Sequence, residues 1–99
     1  MNVGLCQTET YSGEREGNLQ RVLTDIRAAA IKGAELIITP ECVLSGYAGS
    51  YSDDEKTRFA ESAVLSEGSE LTAVRDIARE LKTDIIFGTV RTILISQQI

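Results

Sequence analysis

Histidine is absent from these 99 residues, and so is tryptophan. Without an imidazole the chain cannot supply a Ser-His-Asp triad, a histidine general base or a histidine-ligated metal. Cys6 and Cys42 are its two cysteines; a pair makes no disulfide framework, and their separation fits no zinc pattern. Aromatics are scarce, three tyrosines and two phenylalanines, so Leu, Ile, Val and Ala must fill the core. No run approaches the ~20 apolar residues that span a bilayer. No basic segment precedes an apolar run at the N-terminus, so the expected setting is the cytoplasm or another reducing compartment, with no membrane partner. Cations are outnumbered, ten Lys and Arg against fifteen Asp and Glu, and the net charge is −5. The charges are interspersed, which leaves no basic face for a phosphate backbone and no expected nucleic-acid partner.

What is present suits one small domain, since a chain this long buries enough surface for one core but not two. Asn2 to Gln7 reads as a first strand, Val3 and Leu5 on one face and Gly4 and Cys6 on the other. Leu19, Val22, Leu23, Ile26, Ala29 and Ala30 recur at helical spacing. Asn18, immediately before that stripe, is the expected N-cap, a better one than Ser12, and Lys32-Gly33 is the expected stop. Glu35 to Thr39 reads as a second strand, ended by Pro40, which has no N–H for a ladder. Glu41 to Tyr51 is expected to be loop. Ser52 and Glu55 have capping-box spacing before a short helix carrying Phe59, Ala60, Ala63 and Val64. Gly68 is expected to break the chain. Ser69 then caps a further helix with Leu71, Val74, Ile77, Ala78 and Leu81 inward, and Asp84 to Val90 reads as a third strand. The order β-α-β-α-α-β implies an α/β fold with parallel strands joined by right-handed crossovers. In Thr92 to Ile99 the triplet Ile93-Leu94-Ile95 reads either as an extra strand or as a foreign or truncated end. The division expected is a domain over 1–91 and a separate tail over 92–99.

Pro40-Glu41 is where chemistry is expected, because a carboxylate just past the carboxyl end of a buried strand stands where open α/β sheets place their sites. Taken alone, Glu41 has a second reading, as a helix cap or an arginine's partner. Cys42 adjoins it, but neighbours leaving a strand point apart and a thiol nucleophile needs a base or cation in reach, so it is read as non-catalytic. Cys6, in mid-strand, reads as a small core side chain. Asp53-Asp54-Glu55 reads as acid complementing a helix dipole, not a calcium loop, and Glu14-Arg15-Glu16 as a solvated face.

A series of short motifs carries a resemblance: Gln7 ending the first strand, Asn18-Leu19 opening the helix, and Lys32-Gly33-Ala34-Glu35-Leu36-Ile37 before Pro40-Glu41. Ser45-Gly46-Tyr47 and Phe87-Gly88-Thr89 complete it. In order and spacing they resemble the N-terminal part of the nitrilase superfamily, the carbon-nitrogen hydrolases, over roughly residues 1 to 91. The resemblance implies the N-terminal portion of an αββα sandwich and a Glu-Lys-Cys catalytic set acting on non-peptide C–N bonds without metal or organic cofactor. It aligns Glu41 with the glutamate general base and puts Tyr47 on the substrate pocket, although Tyr47 reads equally as a half-buried loop anchor. It sets the family's lysine and cysteine downstream of the third strand; Lys32, Lys56 and Lys82 do not occupy the lysine position. The implied substrate of the parent enzyme is an amide, carbamoyl compound or nitrile. With only the glutamate present, this stretch is expected to be inactive alone, and to associate with itself through exposed sheet or helix faces. The alternative is a truncated, non-catalytic paralogue acting as an interaction or regulatory module. A flavodoxin- or receiver-like domain ranks last, lacking five strands and clustered strand-end acids.

Overall fold

The computed structural model describes residues 1–46, 68–89 and 92–97. Among the described residues the elements are β1 Val3–Leu5, α1 Arg15–Ile31, β2 Leu36–Ile38, α2 Gly68–Leu81, β3 Asp84–Gly88 and β4 Thr92–Ile95. The four strands form one sheet in sequential order. β1, β2 and β3 pair in parallel, as a strand-helix-strand alternation requires, and β4 returns antiparallel on β3. The apolar triplet near the tail is therefore a strand. The short helix expected over 52–64 lies outside the described residues.

Strand register divides the sheet into two unlike faces. Gly4, Ile37, Ile85 and Ile95 lie in one row across it, and Leu5, Ile38, Ile86 and Leu94 in the next. Successive side chains point to opposite faces, so the first row lies with the helices and the second on the far side. Ile37, Ile85 and Phe87 are fully buried, whereas Leu5 is 72 % and Leu94 68 % exposed. Val22 and Ile26 of α1 and Leu71, Val74, Ile77 and Ala78 of α2 complete the core on the covered face. Burial of each large apolar side chain contributes about 1.5–3 kcal/mol. Two ion pairs join the helices, a largely buried Arg15–Glu70 at 2.6 Å and an exposed Arg27–Glu80. The acidic and basic run around Arg15 is thus not merely a solvated face.

Several boundaries differ from the sequence expectation: β1 and β2 are shorter than the expected 2–7 and 35–39, and both helices start elsewhere. α1 begins a turn earlier, at Arg15, with Glu14 as N-cap and no side-chain cap bond. Asn18 is inside the helix and wholly buried, because it stands in phase with Val22 and Ile26 and faces inward with them. Ser69 is the second residue of α2, and Gly68 begins that helix. The segment after Pro40 is loop through Gly46, as expected, but it is packed against the fold. Val43 and Leu44 are buried at 0 % and 2 % exposure, since a tight turn folds them under the sheet's end. The stop at Lys32-Gly33 stands as expected, with Gly33 at φ +99°.

Candidate active site

Pro40 ends β2, and the chain turns at once across the carboxyl end of β3. Thr39 still pairs normally, its N–H donating to the Ile86 carbonyl at 3.0 Å. Beyond it the Cys42 N–H donates to the Thr89 carbonyl at 3.3 Å and the Val43 N–H to the Gly88 carbonyl at 2.8 Å. Glu41 therefore sits on the rim shared by two parallel strands, the place expected of it. It is exposed.

The rest of the turn is fixed more firmly than its composition suggests. The Gly46 N–H donates to the Cys42 carbonyl at 2.7 Å, closing one helix-like turn. Cys42 lies at φ +49°, a left-handed conformation that costs a non-glycine residue about 1–2 kcal/mol. Gly46, at φ +75°, adopts its own positive φ without that penalty. The neighbouring loop is tied on by the Gly13 N–H, which donates to the Ser45 carbonyl at 2.8 Å. Asn18 completes the fastening. Its Nδ2 donates to the Leu44 and Tyr11 carbonyls at 2.7 and 2.8 Å, and its Oδ1 accepts from the Tyr11 N–H at 2.9 Å and from Arg21 at 2.6 Å. One buried amide thus holds both loops at the end of the sheet where Glu41 stands.

Tyr47 lies outside the described residues, as does Asp53-Asp54-Glu55. Gln7 is exposed just past β1. Lys32 is the C-cap of α1 and Lys82 follows α2, so neither belongs to the Glu41 turn. Among the described residues no group of three or more acids, cysteines or histidines could hold a metal, and no helix is long and apolar enough to cross a membrane. A groove of about 440 Å³ runs between β1 and α1, lined by Val3, Cys6, Asp25, Ala29 and Lys32 among others. Glu41 is not among its walls. The catalytic candidate and this cavity are separate features.

Cys6 in that groove is a poor nucleophile. Burial first, and the Asp25 carboxylate second, push its thiol up from 9.0 to about 11, so it is protonated at neutral pH. An acid whose folded pKa is raised keeps its proton longer in the folded state. Stability is fully present below the unfolded value and falls as pH rises from about 9 to about 11. Tyr11, which donates to Glu9 at 2.7 Å, has its phenol raised as well and acts with the same sign. Urea midpoints taken at about pH 8 and about pH 10.5 should fall in the parent, and fall less in Cys6→Ala. An equal fall in both would assign the loss elsewhere.

Sequence reasoning passed over Thr39 and Gly88 as site residues and misjudged Asn18. Two of the three had a signal: Asn18 is a polar residue in phase with a buried helical stripe, and Gly88 is a glycine inside a strand pattern, which marks close backbone approach.

The family model described as carbon-nitrogen hydrolase matches residues 2–93. The chain is 32 % identical over 91 residues to the chloroplastic omega-amidase of Arabidopsis thaliana, a match covering 90 % of this chain and 23 % of that protein. It is 26 % identical over 102 residues to nitrilase 1 of the same plant, covering 91 % of this chain and 30 % of the relative. The chain thus spans less than a third of the length of these curated relatives. With its α/β sheet and the Pro40-Glu41 turn in place, the chain belongs to the carbon-nitrogen hydrolases of the nitrilase superfamily.

Proposed function

We propose that this chain carries the general-base portion of an amidase-type carbon-nitrogen hydrolase site, with Glu41 as the base. The observation that supports this most is the placing of Glu41 on the joint rim of β2 and β3, in a chain matched by the family over nearly all its length. In the proposed reaction the carboxylate takes the proton of a cysteine thiol, and the sulfur attacks the carbon of a linear amide. The C–N bond breaks, the nitrogen leaves as ammonia with the proton, and water then hydrolyses the thioester to the acid. A lysine stabilises the tetrahedral intermediate. Both partners come from sequence downstream of the third strand, as the family resemblance has it, and no metal or organic cofactor takes part. Neither Cys6, with its raised pKa, nor Cys42 is the nucleophile. A linear ω-amide is the preferred substrate class, supported by the name of the more similar relative; a nitrile is the rival.

The test uses the 99-residue chain and a chimera in which it replaces the matching 91-residue segment of the plant omega-amidase. The chain alone should release no ammonia from short linear amides above background, whereas the chimera should. Steady release by the chain alone, or a cooperatively folded chimera with none, would overturn the proposal. A second reading, a non-catalytic interaction module that associates through its sheet, is favoured by the open apolar face with Val3 at 51 % and Leu5 at 72 % exposure. A folded but silent chimera, together with a chain that sediments as a stable dimer, would favour it.

A further inference from the structure

β2 and β3 do not part in the regular way. In a parallel ladder that receives the Thr39 N–H on the Ile86 carbonyl, the Gly88 N–H would next bond the Thr39 carbonyl. Here it donates to the Thr39 side-chain hydroxyl instead, at 2.8 Å. That hydroxyl in turn donates to the Pro40 carbonyl at 3.4 Å. The backbone thereby swings the Pro40–Glu41 peptide directly over Gly88. A β-carbon at Gly88 would stand 2.1 Å from the Pro40 oxygen, 2.7 Å from its carbonyl carbon and 2.8 Å from the Glu41 Cα. All three are backbone atoms, so no rotamer change relieves the clash; the peptide bearing Glu41 must move. Thr39 is 7 % exposed and Gly88 is buried, so water is a poor substitute for either partner.

We propose that Gly88 and Thr39 form a clamp that fixes the Pro40–Glu41 peptide on the rim and so positions the Glu41 carboxylate. Gly88 acts by having no side chain, and Thr39 by lending its hydroxyl as a ladder acceptor. Both are positioning residues, and their bearing on catalysis rests on the reading of Glu41 as the base.

Amide hydrogen exchange in the 99-residue chain tests the clamp without reference to activity. Gly88→Ala should speed exchange at Cys42 and Val43 by at least about tenfold, and leave Cys6, whose N–H donates to the Ile38 carbonyl, within about threefold. Thr39→Val should do the same to the Gly88 amide, and Thr39→Ser should restore its protection. Unchanged exchange at Cys42 and Val43, uniform acceleration across the sheet, or serine no better than valine would each overturn the clamp. Should Gly88→Ala not fold, the valine and serine pair decides. In the chimera, Thr39→Val should lower kcat by on the order of a hundredfold with KM nearly unchanged, and serine should recover it. A clamp intact by exchange alongside full activity in Glu41→Gln would fault the catalytic reading and leave the clamp standing.

Discussion

Asn18→Leu should destabilise the chain by about 3 kcal/mol, although leucine is close in size and a good helix former. The amide is wholly buried and makes contacts to Tyr11, Arg21 and Leu44. Leucine would leave the buried Leu44 carbonyl without its amide donor, at about 1–3 kcal/mol, and weaken the partly buried Tyr11 loop besides. For a domain of this size, with a total stability of about 5–15 kcal/mol, that is a large fraction. The melting temperature should drop by roughly 12–24 °C. Thr24→Ala is the control, since Thr24 is exposed and donates only to the carbonyl of Gln20 one turn back; it should stay within about 0.5 kcal/mol. A leucine variant as stable as the control would show that the two loops hold without their buried amide.

Much of the fold was legible because its strongest signals are periodic. Leu71, Val74, Ile77 and Ala78 were expected inward at helical spacing and are buried together. The alternation Val3-Gly4-Leu5-Cys6 was read correctly too, with Val3 and Leu5 exposed on the open face and Gly4 and Cys6 half-covered. Contact geometry was not legible. Asparagine just before an apolar helical stripe predicts a cap, because it ranks among the best capping residues. The burial of Asn18 depends on carbonyls of Tyr11 and Leu44, seven and 26 positions away. The glycines and small residues of Glu41 to Tyr51 predict a loop, and local composition does not reveal that its turn buries Val43 and Leu44. The position of Glu41 at the end of an apolar strand follows from a local rule. The Thr39–Gly88 bond spans 49 positions and follows from no local pattern.

Glu41→Gln carries the largest expected effect of all. Glutamine keeps the length and shape of the side chain but is neutral and cannot take a proton. General-base catalysis is worth about 10²–10⁴-fold, so kcat of the chimera should fall by about a thousandfold while KM changes little. Glu41→Asp retains the carboxylate but withdraws it by one methylene, and misplacement on that scale costs on the order of a hundredfold. Aspartate should therefore fall between parent and glutamine. Both variants should still unfold cooperatively, because the side chain is exposed among the described residues and lies outside the hydrophobic core. A loss of activity accompanied by unfolding would point to structure, not proton transfer.

Glu41 is exposed among the described residues, and a small carboxylate is the natural chemical substitute for its side chain. Chemical rescue of the Glu41→Ala chimera by formate is the most direct measurement of its role. A base at this position predicts ammonia release close to background without formate, and a saturable recovery of at least about tenfold when it is added. An alanine chimera that turns over within about threefold of the parent, with or without formate, would contradict the assignment of Glu41 as the base.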